Sequence, residues 1–205
     1  MAAQRARTGR PRGKGRRSGA ARPTWRGTAG GAPLPRALAP ALARLAVDLL
    51  RDTYLPRIER AVAELPARDL WWRPHAATTS VGNLLLHLQG NIRQWIVTGL
   101  GGSPDARDRD AEFAARDGAG ARELLAALRA TVESAAAVIA PLDERVLLGR
   151  VTLQGFRITR LEAVLHVVEH MSWHAGQIAW IAKARAGRKH RIMFYDDRRL
   201  RRRNA

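Results

Sequence analysis

Apolar side chains recur every three or four residues through most of the middle of the chain. This spacing puts the apolar groups on one face of an α-helix and predicts four long amphipathic helices. They are expected at about 37–64, 80–98, 120–139 and 160–186. Because the strand signal is weak, the pattern favours an all-α fold, and a four-helix bundle is the leading architecture.

The first helix is predicted to end at Pro66 and is a candidate for a kink at Pro56. Paired tryptophans, Trp71 and Trp72, follow it, and we interpret them as a plug for the end of the bundle rather than as a ligand site. Large aliphatic side chains form the predicted buried stripe of this helix: Leu38, Leu42, Leu45, Leu49, Leu50, Ile58, Val62 and Leu65.

The second helix is predicted to begin after the hydroxyl side chains of Thr79 and Ser80, which are suited to capping a helix N-terminus. It carries a polar stripe, because His87, Asn91 and Gln94 follow one another at helical spacing. Its apolar face is wide and comprises Val81, Leu84, Leu85, Leu88, Ile92, Trp95 and Ile96, while the third helix is marked by Leu124, Leu125, Leu128, Val132 and Val138.

The fourth helix is predicted to begin with a capping box, in which Thr159 and Glu162 satisfy each other's free amides. Before it, residues 151–156 have the composition of a short hairpin within a connection from Pro141 to Ile158. Another connection, at 101–110, alternates charges. We interpret those charges as solvated ion pairs, although so polar a loop can also form the rim of a site.

The net charge of +18 is confined to the ends of the chain. Residues 1–36 carry ten Lys or Arg and no acid, giving +10. Residues 183–205 carry ten Lys or Arg and two Asp, giving +8, so residues 37–182 are neutral. The expected organisation is a disordered Arg-rich tail at 1–35, a helical domain at 36–187 and a basic tail at 188–205. The tails are candidates for nucleic-acid contacts, but we favour the interpretation that they only solubilise the chain.

Several classes of protein are disfavoured by composition. The chain has no cysteine, which removes disulfides and thiolate metal ligands. No apolar run is long enough to span a membrane, and the N-terminus lacks the apolar core of a secretory signal. We therefore expect a cytoplasmic protein without membrane partners.

Histidines provide the chemical signal. His166, His170 and His174 stand at four-residue spacing inside the fourth helix, and His87 lies in the middle of the second. His166 and His174 are about 12 Å apart along the axis and rotated by about 80°, too far to bind one ion together. The predicted site therefore uses His170, His174 and His87, with His166 as an outer or structural group. On spacing alone, hydrogen-bonded structural histidines are an equal alternative.

Three segments resemble the DinB/YfiT-like superfamily of proposed metalloenzymes. Residues 80–95, SVGNLLLHLQGNIRQW, are similar to the second helix of that superfamily with its single ligand histidine. Residues 107–113, RDRDAEF, resemble a charged connection in one uncharacterised branch. Residues 166–178, HVVEHMSWHAGQI, resemble the fourth helix with its two ligand histidines. The resemblance covers about residues 37–185, and the tails have no counterpart.

The resemblance implies an up-up-down-down four-helix bundle, often a homodimer, with a divalent ion on His87, His170 and His174. Characterised members are similar to thiol-dependent transferases or isomerases. The implied cofactors are Zn²⁺ or Ni²⁺ and a low-molecular-weight thiol, which would act on a small-molecule substrate. Activation of water for hydrolysis is an alternative chemistry, and Asn91 and Gln177 are candidates for orienting a ligand or contacting substrate.

Two other function classes stay open. A helical bundle that binds a metal or ligand without catalysis would keep the same histidines. A nucleic-acid-associated protein would depend on the basic ends. Glu169 points about 100° away from its neighbour His170 on the helix and is not expected to act as a general base.

Overall fold

The computed structural model describes residues 38–194, so the predicted disordered segment 1–35 and the end of the basic C-terminal tail lie outside the described residues. The described part is mostly helical with one small antiparallel sheet. Its helices are α1 (Leu38–Asp48), α2 (Leu55–Ala63), α3 (Val81–Ile92), α4 (Arg109–Ala114), α5 (Ala121–Ile139), α6 (Glu144–Leu148) and α7 (Arg160–Ala186). The strands are β1 (Arg150–Leu153) and β2 (Phe156–Thr159).

The predicted first helix is a continuous helical stretch made of α1, a π-helical segment at Leu49–Tyr54, and α2. The Leu55 amide donates to the Leu50 carbonyl, one residue further back than in an α-helix. Pro56 follows directly and has no amide hydrogen to donate. The proline thus coincides with a change in the hydrogen-bond ladder near the position where a kink was predicted.

The predicted buried stripe of the first helix is wrong in its first half. Leu38 and Leu45 are exposed, Leu45 by 51 %, whereas Leu50, Ile58, Val62 and Leu65 are buried as expected. Small side chains form the buried face of α1 instead, namely Ala39, Ala43, Ala46 and Val47. Alanine lets neighbouring helices approach closely, so the face with the largest side chains is not the face that packs.

Helix α3 begins as its capping residues predict. The Ser80 hydroxyl accepts a hydrogen bond from the Asn83 amide at 3.1 Å, and the Asn83 side chain accepts one from the Ser80 amide at 3.0 Å. The helix continues as a π-helical segment at Arg93–Thr98. All seven residues predicted for its apolar face are buried. His87 therefore lies buried near the middle of a capped helix.

Helices α5 and α7 and the hairpin also match their predicted positions. Thr159 and Glu162 form the capping box of α7, and the helix ends before Gly187. The hairpin pairs Arg150 with Thr159 and turns at Gln154 and Gly155, both at positive φ. The short helices α4 and α6 were not predicted. Each spans only one or two turns after a capping aspartate, too few to show a helical period.

Packing places α3 between α4, α5 and α7, while α2 packs on α7. Residues 188–194, assigned to the C-terminal tail in the sequence analysis, lie against this helical core. Ile192 is buried, and Arg60 donates to the Met193 carbonyl at 2.6 Å. Over the described residues, the helices lack the combination of length and apolar character that crossing a bilayer requires.

Candidate metal centre

His87, His170 and His174 converge on one point between α3 and α7. One ring nitrogen from each lies within 4.8 Å of the others. The Nε2 atoms of His87 and His170 are 3.0 Å apart. Two nitrogens that ligate the same ion at about 2.1 Å are separated by about 3.0–3.4 Å, so this pair has the spacing of shared coordination. The three residues are therefore positioned to bind a metal ion.

A buried carboxylate orients the His87 ring. Glu112, on α4, lies 2.9 Å from Nδ1 of His87. Burial raises the pKa of the Glu112 carboxyl, but hydrogen bonds from Arg107 and His87 outweigh burial and hold that pKa below its ordinary value. Because an ionised carboxylate can only accept, Nδ1 of His87 must donate, and the Nε2 lone pair is left for an ion.

Arg107 completes this arrangement. Its Nε donates to one Glu112 oxygen at 2.7 Å and its Nη2 to the other at 2.9 Å. Its Nη1 donates to the Gln94 side chain at 2.9 Å. The bidentate pair fixes the plane of the carboxylate and compensates its charge where both side chains are buried.

Gly90 makes room for the carboxylate. A Cβ atom at this position would lie 1.8 Å from Oε1 of Glu112 and 2.8 Å from Nε of Arg107. Both contacts are shorter than van der Waals separation, so a side chain larger than hydrogen would displace Glu112. The glycine that follows His87 on α3 is thus part of the support of the site.

His174 and His170 present neutral rings. Nδ1 of His174 lies 2.6 Å from the Gln177 amide oxygen, an acceptor, which leaves Nε2 of His174 with the free lone pair. Burial, together with the neighbouring His174 and His87, lowers the pKa of His170 to about 3, and burial also lowers the pKa of His174. Neutral imidazoles are the form that binds metals.

His166 lies beside the three histidines rather than among them. Its ring stacks on Trp95 with 4.1 Å between ring centroids, and it is 5.6 Å from the His170 ring. Burial lowers its pKa. Asn91, a predicted orienting group, is buried one turn after His87, and Glu169, which was not expected to act as a general base, is exposed.

A cavity of about 440 Å³ opens beside the histidines. His87, His166 and His170 form part of its wall, and the hairpin contributes Gln154, Phe156 and Ile158. Asn91, Trp95, Arg107, Arg109 and Glu162 line the rest. This volume suits a small molecule, and two of the three converging histidines, His87 and His170, lie where such a molecule would reach them.

Sequence reasoning missed Glu112 and Arg107 as individual site residues. Both stand in the charged segment at 107–113 that carried part of the family resemblance. That resemblance was the one sequence feature that could have pointed to these two residues. The other two histidines are not part of the converging group. His75 is exposed, and His190 accepts a hydrogen bond from the Ile192 amide at 3.3 Å.

Comparison with protein families gives a match over residues 45–195 to a family described as "Protein of unknown function (DUF1572)". This family is part of the DinB/YfiT-like group, to which the sequence motifs pointed. Comparison with curated proteins gives no match.

Proposed function

We propose that this chain, which belongs to the DUF1572 family, is a metal-dependent enzyme that uses a low-molecular-weight thiol on a small-molecule substrate. The observation that carries the proposal is the convergence of three imidazole rings beside a cavity of about 440 Å³. With nitrogen ligands only, Zn²⁺ and Ni²⁺ are the ions that we expect. The proposed fold is the up-up-down-down bundle of the superfamily, over residues 36–187.

In this proposal, side chains of the protein orient the ligand histidines and position the substrate. Glu112 and Gln177 hold the His87 and His174 rings with one nitrogen of each turned inward. When bound, the ion would supply the positive charge that lowers the pKa of a substrate thiol. The cavity wall then positions an electrophile next to the thiolate sulfur, and Asn91 is a candidate to orient it.

The metal part of the proposal is tested by elemental analysis of the purified full-length chain beside His87→Ala and His174→Ala. We expect about one divalent ion per chain in the unmodified protein and almost none in either variant. His75→Ala is the matched control, because His75 is exposed and is not one of the three histidines whose nitrogens converge. Equal metal content in all four proteins would overturn the proposal.

The catalytic part is tested with the metal-loaded protein, a panel of low-molecular-weight thiols and an aryl halide. The sulfur–carbon bond forms as the halide leaves, and halide release is measured. Release that depends on both the thiol and His87 supports a transferase. If the metal-loaded protein releases no halide with any thiol, the enzyme proposal is wrong and only metal binding is supported.

A homodimer is also proposed, from the family resemblance. Two tryptophans on α7, Trp173 and Trp180, are each 68 % exposed, which is unusual for such large apolar side chains. They are seven positions apart, so they lie on one face of the helix. Light scattering of the unmodified protein and of a Trp173→Ser, Trp180→Ser variant checks this, with a dimer expected for the former and a monomer for the latter.

A further inference from the structure

One positive charge in the cavity wall, that of Arg109, has no acidic partner among the described residues. Arg107, Arg109 and Glu162 are the charged residues of the wall. Arg107 is neutralised by Glu112, and the Glu162 carboxylate accepts hydrogen bonds from Thr159 at the start of α7. Within residues 38–194, no acid lies at ion-pair distance from Arg109. The wall therefore keeps a cation that is free to meet an anion.

Arg109 is held in place without being neutralised. Its Cζ atom lies 4.9 Å from the centre of the Phe113 ring, and that ring lies 4.6 Å from the His87 ring. An aromatic face attracts a guanidinium but leaves its N–H groups available for hydrogen bonds. This stack places the cation in the same cavity wall as His87 and His170.

Apolar side chains form much of the remaining wall. Trp95, in the π-helical segment that follows α3, and Ile158, in β2, line the cavity with apolar side chains. Phe156, also in β2, adds a ring that is 60 % exposed. An occupant with an apolar body would cover that ring and remove it from water, which is favourable in proportion to the area covered.

We infer that the cavity binds a small organic carboxylate, with the carboxylate on Arg109 and an apolar body between Trp95 and Phe156. A single free guanidinium matches one carboxylate through two parallel hydrogen bonds, whereas a phosphate dianion would keep an uncompensated charge. The inference deepens the proposed function and rests on it in taking this occupant as the substrate of the histidine site.

The test compares phenylacetate with its neutral counterpart phenylacetamide, which has nearly the same shape. Each is titrated into the full-length chain, with and without metal, while the indole N–H signal of Trp95 is followed by NMR; Trp95→Phe assigns the signal. We expect phenylacetate to bind with a dissociation constant on the order of millimolar and about tenfold more tightly than phenylacetamide.

Arg109→Gln should abolish this preference, so that the two compounds bind equally. Arg93→Gln is the matched control, since Arg93 is exposed but lines a different cavity, and it should keep the preference. A preference that survives in Arg109→Gln, or no binding of phenylacetate to the unmodified chain, overturns the inference.

The same samples are analysed for metal, which separates the two proposals. A preference that depends on Arg109 in a chain that binds no metal would contradict the proposed function and leave carboxylate recognition standing. If the protein binds metal but its preference for phenylacetate does not change in Arg109→Gln, carboxylate recognition by Arg109 is wrong and the proposed metal site stands.

Discussion

The Glu112 carboxylate accepts a hydrogen bond from Nδ1 of His87 at 2.9 Å, across 25 positions of sequence and between two different helices. Because Nδ1 of His87 donates in this contact, Nε2 keeps its lone pair. Arg107 fixes the orientation of the carboxylate by donating a hydrogen bond to each of its oxygens. The geometry of the histidine triad therefore depends on α4, a helix of only six residues.

Replacing Glu112 with glutamine should weaken metal binding by about 10- to 100-fold while the helical fold is kept. The amide has no charge to balance Arg107, and it can turn its NH₂ group toward His87, which would favour the wrong tautomer. Affinity is measured by competition with a chromogenic chelator, using Zn²⁺. Glu123→Gln, on the exposed face of α5, is the control and should bind as the unmodified protein does. Unchanged affinity in Glu112→Gln would show that the carboxylate does not support the site.

Replacing Gly90 with alanine should also weaken Zn²⁺ binding, by about tenfold or more, because the added methyl group displaces the Glu112 carboxylate. Alanine is otherwise the better helix former by about 1 kcal/mol, so helix propensity alone predicts a more stable protein. The two effects therefore have opposite signs and are measured separately, by chelator competition and by urea unfolding.

Gly176 provides the matched control for Gly90. It lies in α7, and a Cβ atom there would meet nothing within 4 Å. Gly176→Ala should therefore raise the free energy of unfolding by about 0.5–1 kcal/mol and leave Zn²⁺ affinity unchanged. If both alanine variants keep full affinity, the close approach of Glu112 to Gly90 has no role in metal binding.

The sequence was most informative where one local signal determines one structural feature. The hydroxyl and carboxylate of a capping box locate the start of α7, and four-residue spacing places His170 and His174 on one face. Partners that are distant in sequence were not accessible in this way. Nothing local to Glu112 indicates that it meets His87, because that contact depends on how α4 packs on α3.

The misassigned face of α1 has a related cause. Periodicity ranks positions by hydrophobicity, and leucine outranks alanine on that scale. Burial, however, follows from the shape of the neighbouring helices, and the α1 face that approaches α6 and α7 uses Ala39, Ala43 and Ala46. The π-helical segment after α1 also shifts the phase of the helix, so one stripe could not continue from Leu38 to Leu65.

Replacing His166 with asparagine should leave about one metal ion bound per chain. His166 stacks on Trp95 and stands outside the group of nitrogens that lie within 4.8 Å of one another. Elemental analysis checks this beside His170→Asn, which removes a ring of the triad and should lose the ion. Loss of metal from His166→Asn to the same extent as from His170→Asn would identify His166 as a ligand.

The chelator-treated protein should lose stability as the pH falls from about 7 toward 3. His170 has a folded-state pKa of about 3, against an ordinary value of 6.5, so between these values the unfolded chain binds more protons than the folded one. Burial of the neutral ring is therefore compatible with folding above pH 6.5 and opposes folding progressively below it. Urea unfolding at pH 7.5, 6.5 and 5.5 measures the effect. His170→Gln cannot titrate and should show a shallower loss, whereas His75→Gln should follow the unmodified protein. Equal slopes for all three proteins would mean that His170 does not resist protonation in the folded state.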